Sequence, residues 1–324
     1  MKILLAILLL GGCAIKPTKT NSVNNRRYTT ESTKGLSDLD LTSEAKIIDA
    51  RPAFAHSLGF IPGSARIEWS DYTQSEEAQK GILQSDLSDL TRRLAALGIA
   101  PETSLTVLGR GLEGEGEEGR VAWMLAYLGV NKVQFADINS VKGKFKFAKT
   151  DPGFSPMGQV DQYRDRDRDP NEKATLEQAD AATPRLKAVP PWAPQVDSSL
   201  LATRDEVLSI INSGVPARII DVRSESDYHN KSGLGVARAI PNMGAINIHW
   251  KEFLTNQGRP RIALRKKLES VGIKPENRII VVSQDGVASG AVTMCLRAMG
   301  YNNSANYSGG LIDLISTQSD RKAD

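Results

Sequence analysis

Few residues in this sequence combine the chemical type and the spacing that catalysis or metal binding requires. The 324 residues include two cysteines, Cys13 and Cys295, and three histidines, His56, His229 and His249, all far apart in the chain. Two widely separated cysteines exclude a disulfide framework and a cysteine-rich metal site. We therefore expect no metal site and no cofactor. Acidic and basic residues are interspersed and the net charge is +3, which does not indicate a nucleic-acid partner.

Two loops could nevertheless carry chemistry, because each lies between an apolar strand and a helix. The first, GRGLEGEGEEG (Gly109 to Gly119), contains four glutamates. Paired carboxylates can act as acid and base or bind a hard cation, but we expect glutamates in such a glycine-rich loop to be solvated. The second, VSQDGVAS (Val282 to Ser289), contains no cysteine, histidine or positive charge. Its Ser283 could act as a nucleophile only beside a base, and His249 would have to approach it from elsewhere in the fold.

The elements that would position these loops occur twice in the chain. Three segments of the first half match three segments of the second half in the same order: AKIIDARPAFAHSLGFIPGSARIEW (45–69) matches ARIIDVRSESDYHN…AIPNMGAINIHW (217–250), LAALGIAPETSLTVL (94–108) matches LESVGIKPENRIIVV (268–282), and VAWMLAYLGVNKV (121–133) matches VTMCLRAMGYNNS (292–304). So long a period indicates a duplicated domain rather than a solenoid of short repeats.

Each copy shows the same order of elements. An apolar strand ends in Asp-x-Arg, as Asp49 and Arg51 in the first copy and Asp221 and Arg223 in the second. We expect these residues to form structural ion pairs. A helix that ends at a glycine, a second β-branched strand, a loop and another helix follow. Strands that alternate with helices predict an α/β fold in which each copy is a parallel sheet flanked by helices, with reactive loops at the carboxyl ends of the strands.

The N-terminus predicts a lipid anchor. The apolar run in MKILLAILLLGGCAIK is much shorter than the ~20 residues that span a bilayer. It resembles a bacterial lipoprotein signal, in which cleavage before Cys13 exposes the cysteine for acylation and so attaches the chain to the lipid bilayer. Ala14 is not the acidic residue associated with inner-membrane retention. We therefore expect the periplasmic face of the outer membrane in a two-membrane bacterium, and the cell surface in a one-membrane bacterium.

These observations predict five parts. They are a signal peptide at 1–12, a lipidated cysteine with a flexible tether at 13–38, a first domain at 39–148, a linker at 149–195 and a second domain at 196–318. The tether is rich in Thr, Ser, Asn and Lys and has few large apolar side chains, so it cannot pack a core of its own.

The order of motifs resembles the rhodanese (thiosulfate sulfurtransferase) family in its two-domain form. The resemblance is carried in the second half by IIDVR, AINIHW and LRAMGYNNSANYSGG, and in the first half by IIDAR, GFIPGS and GRVAWMLAYLGV. It implies two tandem rhodanese-like domains and sulfane-sulfur transfer at a second-domain loop of the form Cys-x-x-Gly-x-Arg. In active members the backbone N–H groups of this loop surround an anion, and the cysteine thiolate becomes a persulfide that passes its sulfur to a nucleophile.

The match to that loop fails at the residues that perform the chemistry. Its six positions hold Ser283, Gln284, Asp285, Gly286, Val287 and Ala288. Serine replaces the cysteine, alanine replaces the arginine, and aspartate adds a negative charge where an anion should bind. A serine hydroxyl does not form a persulfide, and losing the nucleophile of a covalent mechanism costs on the order of 10⁶ in rate. We therefore expect a membrane-tethered, catalytically inactive module that binds a protein or a small anion.

Two enzymatic alternatives remain open. Cys295, on the helix after the loop, could be the relocated nucleophile of a divergent sulfurtransferase or sulfur carrier. Its place on that helix also fits a core position, where cysteine behaves as a small apolar residue. The other alternative is a hydrolase that uses Ser283.

Overall fold

A computed structural model describes residues 45–143, 145, 147–148, 187–213, 217–229 and 242–320. Within these residues the chain forms two α/β domains of the same architecture, each with a parallel four-stranded sheet flanked by helices. The predicted fold class is therefore confirmed. The predicted signal peptide, Cys13, the tether and residues 149–186 of the predicted linker lie outside the described residues. Within the described residues, no helix is long and apolar enough to cross a membrane.

The first domain has the strand order β2-β1-β3-β4, with every neighbouring pair parallel. Its strands are β1 (Lys46–Asp49), β2 (Ala65–Arg66), β3 (Ser104–Gly109) and β4 (Lys132–Asp137). Its helices are α1 (Ala53–Ser57), α2 (Leu87–Ala96) and α3 (Glu117–Leu128). The helix α2 begins where the Asp86 carboxylate accepts the N–H groups of Ser88 and Asp89, which would otherwise lack acceptors.

The second domain repeats this topology with the strand order β6-β5-β7-β8. Its strands are β5 (Arg218–Asp221), β6 (Ile246–Asn247), β7 (Ile279–Val282) and β8 (Ser304–Asn306). Its helices are α4 (Arg204–Ser213), α5 (Glu225–Tyr228), α6 (Arg265–Ser270), α7 (Val287–Ala298) and α8 (Gly310–Asp320). All four residues of β7 are buried, as expected for a parallel strand that is covered on both faces.

The register of the two sheets shows which loop positions are equivalent. Asp49 pairs with Leu108 in the first sheet, and Asp221 pairs with Val282 in the second. Gly109 and Ser283 follow these partners directly and therefore occupy the same position at the carboxyl end of the central strand. This is the edge at which ligands bind in open α/β sheets.

The two domains meet along the helices α3 and α7. All twelve residues of α3 are buried, and one continuous apolar core contains residues of both domains. The helices approach closely because small residues face each other. A Cβ atom on Gly119 would lie 2.4 Å from the Cβ of Ala291, so only glycine fits at that position.

The last residues of the predicted linker lie against the first domain. Trp192 Nε1 donates a hydrogen bond to the carbonyl of Ile99 at 2.9 Å, and the N–H of Gln195 donates to the carbonyl of Leu128 at 2.9 Å. The chain therefore follows the surface of the first domain before it enters the second.

Candidate functional site

The candidate site is the turn between β7 and α7, which begins at Ser283 and reaches the helix at Gly286. Gly286 has a φ of 81°, in the left-handed region that glycine adopts most easily. A Cβ atom there would also lie 1.9 Å from the carbonyl oxygen of Ser308. Backbone conformation and close packing therefore both require glycine at this position.

The hydroxyl of Ser283 takes the hydrogen-bond donors of its own loop. Ser283 is 2% exposed, and its Oγ accepts the N–H of Gly286 at 3.0 Å and the N–H of Ser289 at 3.3 Å. The Oγ atoms of Ser283 and Ser289 are 2.9 Å apart, and Ser289 Oγ donates to Asn306 Oδ1 at 2.7 Å. Because the Ser289 proton goes to Asn306, Ser283 donates its own proton to Ser289. The chain of hydroxyl groups ends at a neutral amide oxygen, which is not a base.

The negative charge that Asp285 brings to the loop is balanced in part from the first domain. Asp285 Oδ1 accepts the N–H of Val287 at 3.2 Å, where the positive end of the helix dipole favours a carboxylate. The pKa of Lys80 is raised, first by its hydrogen bond to Glu77 and also by the charge of Asp285. Arg120 is the second first-domain cation that the Asp285 charge affects. The sequence of the loop and its flanks contained no signal for either cation.

Arg120 carries a charge into the buried interface between the domains. It is 1% exposed, and its guanidinium lies over the ring of Trp123, 4.4 Å from the ring centroid. Its Nη2 donates to the carbonyl of Gly81, whereas Nε and Nη1 are buried without a hydrogen-bond partner among the described residues. Burial lowers the pKa of Arg120 to about 9, and Asp285 opposes this decrease.

A hairpin from each domain covers the loop region of the other domain. In the first domain, Thr73 and Leu83 pair at the base of a hairpin whose Gly81 lies on the second-domain loop. A Cβ atom on Gly81 would be 2.1 Å from the carbonyl oxygens of both Asp285 and Ser308. The first domain therefore packs directly against the turn that follows Ser283.

The second-domain hairpin makes the reciprocal contact. Leu254 and Pro260 pair at its base, and a Cβ atom on Gly258 would lie 2.6 Å from the backbone nitrogen of Asp137, at the end of β4. The N–H of Asp137 donates to the carbonyl of Gln257 at 2.9 Å. Each domain therefore contacts the loop region of the other domain through a hairpin.

In the first-domain loop, two of the four glutamates point inward. Glu117 accepts the N–H of Glu115 at 2.9 Å and the backbone N–H of Arg110 at 3.3 Å, and it forms an ion pair with Arg110 Nε at 2.7 Å. Glu118 is 0% exposed, and neither of its carboxylate oxygens has a hydrogen-bond partner among the described residues. The expectation that these glutamates are solvated is correct for Glu113 and Glu115 and wrong for Glu117 and Glu118.

The position of Glu118 depends on the absence of a side chain at Gly109. A Cβ atom on Gly109 would lie 2.2 Å from Glu118 Oε2. Burial, followed by the charge of Glu117, raises the pKa of Glu118 well above its ordinary value, so the acid is protonated over a wider pH range. The carboxylate of Glu117 therefore binds to the protein itself, and that of Glu118 is buried. Among the described residues, no group of three His, Cys, Asp or Glu side chains is placed to hold a metal ion.

The remaining predicted site residues lie in buried or ion-paired positions. Cys295 is 0% exposed in α7, and burial, followed by the charge of Glu118, raises the pKa of its thiol. Arg51 Nη2 lies 2.6 Å from Asp49 Oδ2, and Arg223 Nη2 lies 2.7 Å from Asp221 Oδ2. These two pairs tie the loop that follows each strand to the strand itself.

Comparison with known proteins agrees with this architecture. Residues 203–314 match the family described as Rhodanese-like domain. The chain is 24% identical over 269 residues to a thiosulfate sulfurtransferase of Azotobacter vinelandii, with 82% of this chain and 86% of that protein covered.

Solved structures share the fold of both domains. The 3-mercaptopyruvate sulfotransferase SseA from Escherichia coli matches with a TM-score of 0.61 and 18% identity, covering 83% of this chain and 93% of that one. The Tum1 protein from Saccharomyces cerevisiae matches with a TM-score of 0.62 and 15% identity, covering 86% of this chain and 90% of that one. The chain therefore has the fold of two tandem rhodanese-like domains.

Proposed function

We propose that this chain is a tandem rhodanese-like protein that does not catalyse sulfur transfer and that binds a protein partner at a membrane, where acylated Cys13 anchors it. The observation that carries the proposal is the position of Ser283. Its oxygen stands at the loop position that holds the sulfur nucleophile in the rhodanese pattern which this chain resembles. It also accepts the N–H groups of Gly286 and Ser289, which an anionic donor such as thiosulfate would need.

The chemistry of sulfur transfer explains why an oxygen does not suffice. In the family reaction a thiolate attacks the outer sulfur of thiosulfate, sulfite leaves, and the resulting persulfide gives its sulfur to cyanide as thiocyanate. A serine hydroxyl is not ionised near neutral pH, and Ser283 has only Ser289 and Asn306 along its proton path. No group in this path can accept the proton and activate the oxygen. The same absence of a base argues against a hydrolase that uses Ser283.

The geometry of Cys295 gives the alternative nucleophile little support. The thiolate is the reactive form of cysteine, and the pKa of this thiol is raised by burial rather than lowered by a nearby cation. The residue is 0% exposed, so a thiosulfate ion could reach its sulfur only if the packing around α7 opened.

The occupied loop also favours a protein partner over a small anion. An anion would have to displace the Ser283 hydroxyl from its two N–H donors and pass the first-domain hairpin at Gly81. A protein partner needs neither step, because it can bind the outer surface of the domains.

Thiocyanate formation from thiosulfate and cyanide tests the inactive assignment. The full chain and its Cys295→Ala variant should both give the rate of the reaction without protein. Enzyme-like turnover that disappears in Cys295→Ala would establish the sulfurtransferase alternative, and turnover that survives it would require a nucleophile elsewhere. Ester hydrolysis that is lost in Ser283→Ala would establish the hydrolase alternative. If both assays are blank, cross-linking in envelope extracts followed by reconstitution with the purified partner tests binding.

The membrane anchor requires a separate test, because it depends on the N-terminus alone. In cells, metabolic labelling with a fatty acid should mark the parent chain, and the label should be lost with Cys13→Ser. Fractionation should place the parent chain with the outer membrane of a two-membrane host. Detection of an unlabelled parent chain in the soluble fraction would contradict the anchor without affecting the inactive assignment.

A further inference from the structure

We infer that residues 74–82 of the first domain form a lid over the second-domain loop, and that the lid opens and closes on Ser283 without separation of the two domains. This inference concerns access to the loop. It does not depend on whether the chain transfers sulfur.

The surface that the lid contacts leaves room only for a residue without a side chain. Gly81 lies between the carbonyl oxygens of Asp285 and Ser308, each of which would be 2.1 Å from a Cβ atom at this position. Arg120 Nη2 donates a hydrogen bond to the carbonyl of Gly81 and so holds the lid from below. In this closed arrangement Ser283, two residues before the Asp285 contact, is 2% exposed.

The hydrogen bonds of the lid lie mostly within the lid itself, and its residues Glu77–Gln79 also contact the second-domain helix α8. The N–H of Gln74 donates to the carbonyl of Ile82 at 2.8 Å. The N–H of Ile82 donates to the carbonyl of Gln79 at 2.7 Å, and the N–H of Gln79 donates to the carbonyl of Glu76 at 2.9 Å. Gly81 is the buried residue of the segment, and the other residues from 74 to 82 are exposed or half-buried. A segment with internal bonds and little buried apolar surface can move as a unit at low free-energy cost.

Polar groups beneath the lid favour its opening. Arg120 Nε and Nη1 are buried and have no hydrogen-bond partner among the described residues. A buried cation whose donors are unpaired loses hydration free energy that it recovers when water enters. Lifting the lid would let water reach the guanidinium, and this gain offsets part of the lost contact at Gly81.

The second-domain hairpin provides an internal contrast. It is tied across the interface by a backbone bond, because the N–H of Asp137 donates to the carbonyl of Gln257. Arg261 further stabilises that hairpin through bonds from its guanidinium to the carbonyl of Leu254. Within the described residues, no backbone hydrogen bond joins 74–82 to the second domain. We therefore assign the opening motion to the first-domain lid and not to its counterpart.

The test uses a thiol at the covered position. In the full chain carrying Ser283→Cys, N-ethylmaleimide should modify position 283 at least about 100-fold more slowly than an exposed thiol, because reaction follows the open population. Adding Gly81→Ala should raise that rate at least about tenfold, since the new methyl group prevents the lid from seating. Gly143→Ala is the matched control, because a Cβ atom there meets nothing within 4 Å, and it should leave the rate unchanged. Peptide mass spectrometry separates position 283 from Cys13 and Cys295.

Two results would contradict the proposal that residues 74–82 form a lid. One is a rate at position 283 equal to that of an exposed thiol while Gly81 is intact, and the other is a rate that Gly81→Ala does not change. If Gly81→Ala does not fold, hydrogen exchange in the unsubstituted chain decides. The amides of Gly286 and Ser289 should exchange at least about tenfold faster than that of Val281, and independently of low denaturant concentrations. Equal protection of these amides would mean that the loop is exposed only by global unfolding.

Discussion

Replacement of Arg120 by methionine should stabilise the folded protein, although Arg120 is buried and makes a hydrogen bond. The side chain is 1% exposed, and two of its three nitrogen atoms have no partner among the described residues. Methionine fills a similar elongated volume without a charge. In other proteins, replacing buried charged groups with apolar side chains of similar volume is often neutral, or it stabilises the fold by roughly 1–4 kcal/mol.

The expected gain in the free energy of unfolding is the difference between one favourable and two unfavourable contributions. The decrease of the pKa of Arg120 from 12.5 to about 9 corresponds to roughly 5 kcal/mol by which folding disfavours the charged form. The lost hydrogen bond to Gly81 costs about 1.5–3 kcal/mol, and the lost contact with the Trp123 ring costs about 0.5–2 kcal/mol. The balance predicts a net stabilisation of between roughly 0 and 3 kcal/mol at neutral pH, and each kcal/mol corresponds to a rise in Tm of about 2–4 °C for a large chain.

The pH dependence provides a second check with a definite sign. The folded-state pKa of Arg120 lies below its unfolded value, so the destabilisation is fully present below about pH 9 and is relieved as the pH rises above that value. The advantage of Arg120→Met should therefore stay constant between about pH 7 and pH 8.5 and decrease at higher pH. Urea unfolding followed by circular dichroism measures both the advantage and its pH dependence.

The matched control is Arg297→Met on α7. Arg297 is also buried, but its guanidinium donates to the carbonyl of Ser304 and to the carbonyl and hydroxyl of Ser199. Removing it leaves acceptors without donors, and we expect a loss of about 2–3 kcal/mol. If Arg120→Met were destabilising to a similar extent, the charge of Arg120 would have to be compensated in solution, and the argument from unpaired donors would fail.

Three further predictions concern the interface between the domains. Glu118→Gln should match the parent chain in urea unfolding near pH 4 and be more stable than it above pH 7. The folded-state pKa of Glu118 is raised, so the parent chain loses stability as the pH rises through that pKa, whereas glutamine does not titrate. An equal free energy of unfolding for both chains at both pH values would contradict the raised pKa. Gly119→Ala should lower the unfolding free energy by about 1–3 kcal/mol, since its methyl group would meet Ala291 at 2.4 Å, whereas Gly143→Ala should have no effect. Cys295 should resist a disulfide reagent in the native chain and react after unfolding; rapid native reaction would show that α7 exposes the thiol.

Local elements of this fold could be predicted because their causes are local. The run IIVV in β7 is buried on both faces of a parallel sheet, and its composition alone indicates such a strand. The Asp-x-Arg motif places Asp221 and Arg223 two residues apart, within reach of an ion pair whatever surrounds them. The turn from Ser283 to Gly286 could be located for the same reason, since it lies between a predicted strand and a predicted helix.

The environment of the loop could not be predicted because its causes are distant in sequence. Lys80, Gly81 and Arg120 reach the second-domain loop only after the domains pack, and nothing in the periodicity of their own segments indicates this contact. The burial of Glu117 could not be predicted for a related reason. Loop composition indicates an exposed carboxylate, but the N–H groups of Arg110 and Glu115 point toward it once the loop has folded.

The two loops satisfy the same physical requirement with different side chains. The first N–H groups of a helix have no acceptors within the helix, and a loop that presents several of them attracts negative charge. In the second domain Asp285 and Ser283 accept such N–H groups, those of Val287 and Ser289. In the first domain the carboxylate of Glu117 accepts the N–H groups of Arg110 and Glu115, which lie in the loop before α3. In both loops, oxygen atoms of the protein therefore occupy N–H donors that an external anion would need. A thiol introduced by Ser283→Cys would therefore not be sufficient for anion binding, because the Asp285 carboxylate and the close contact of Gly81 with the loop would still oppose the entry of an anion.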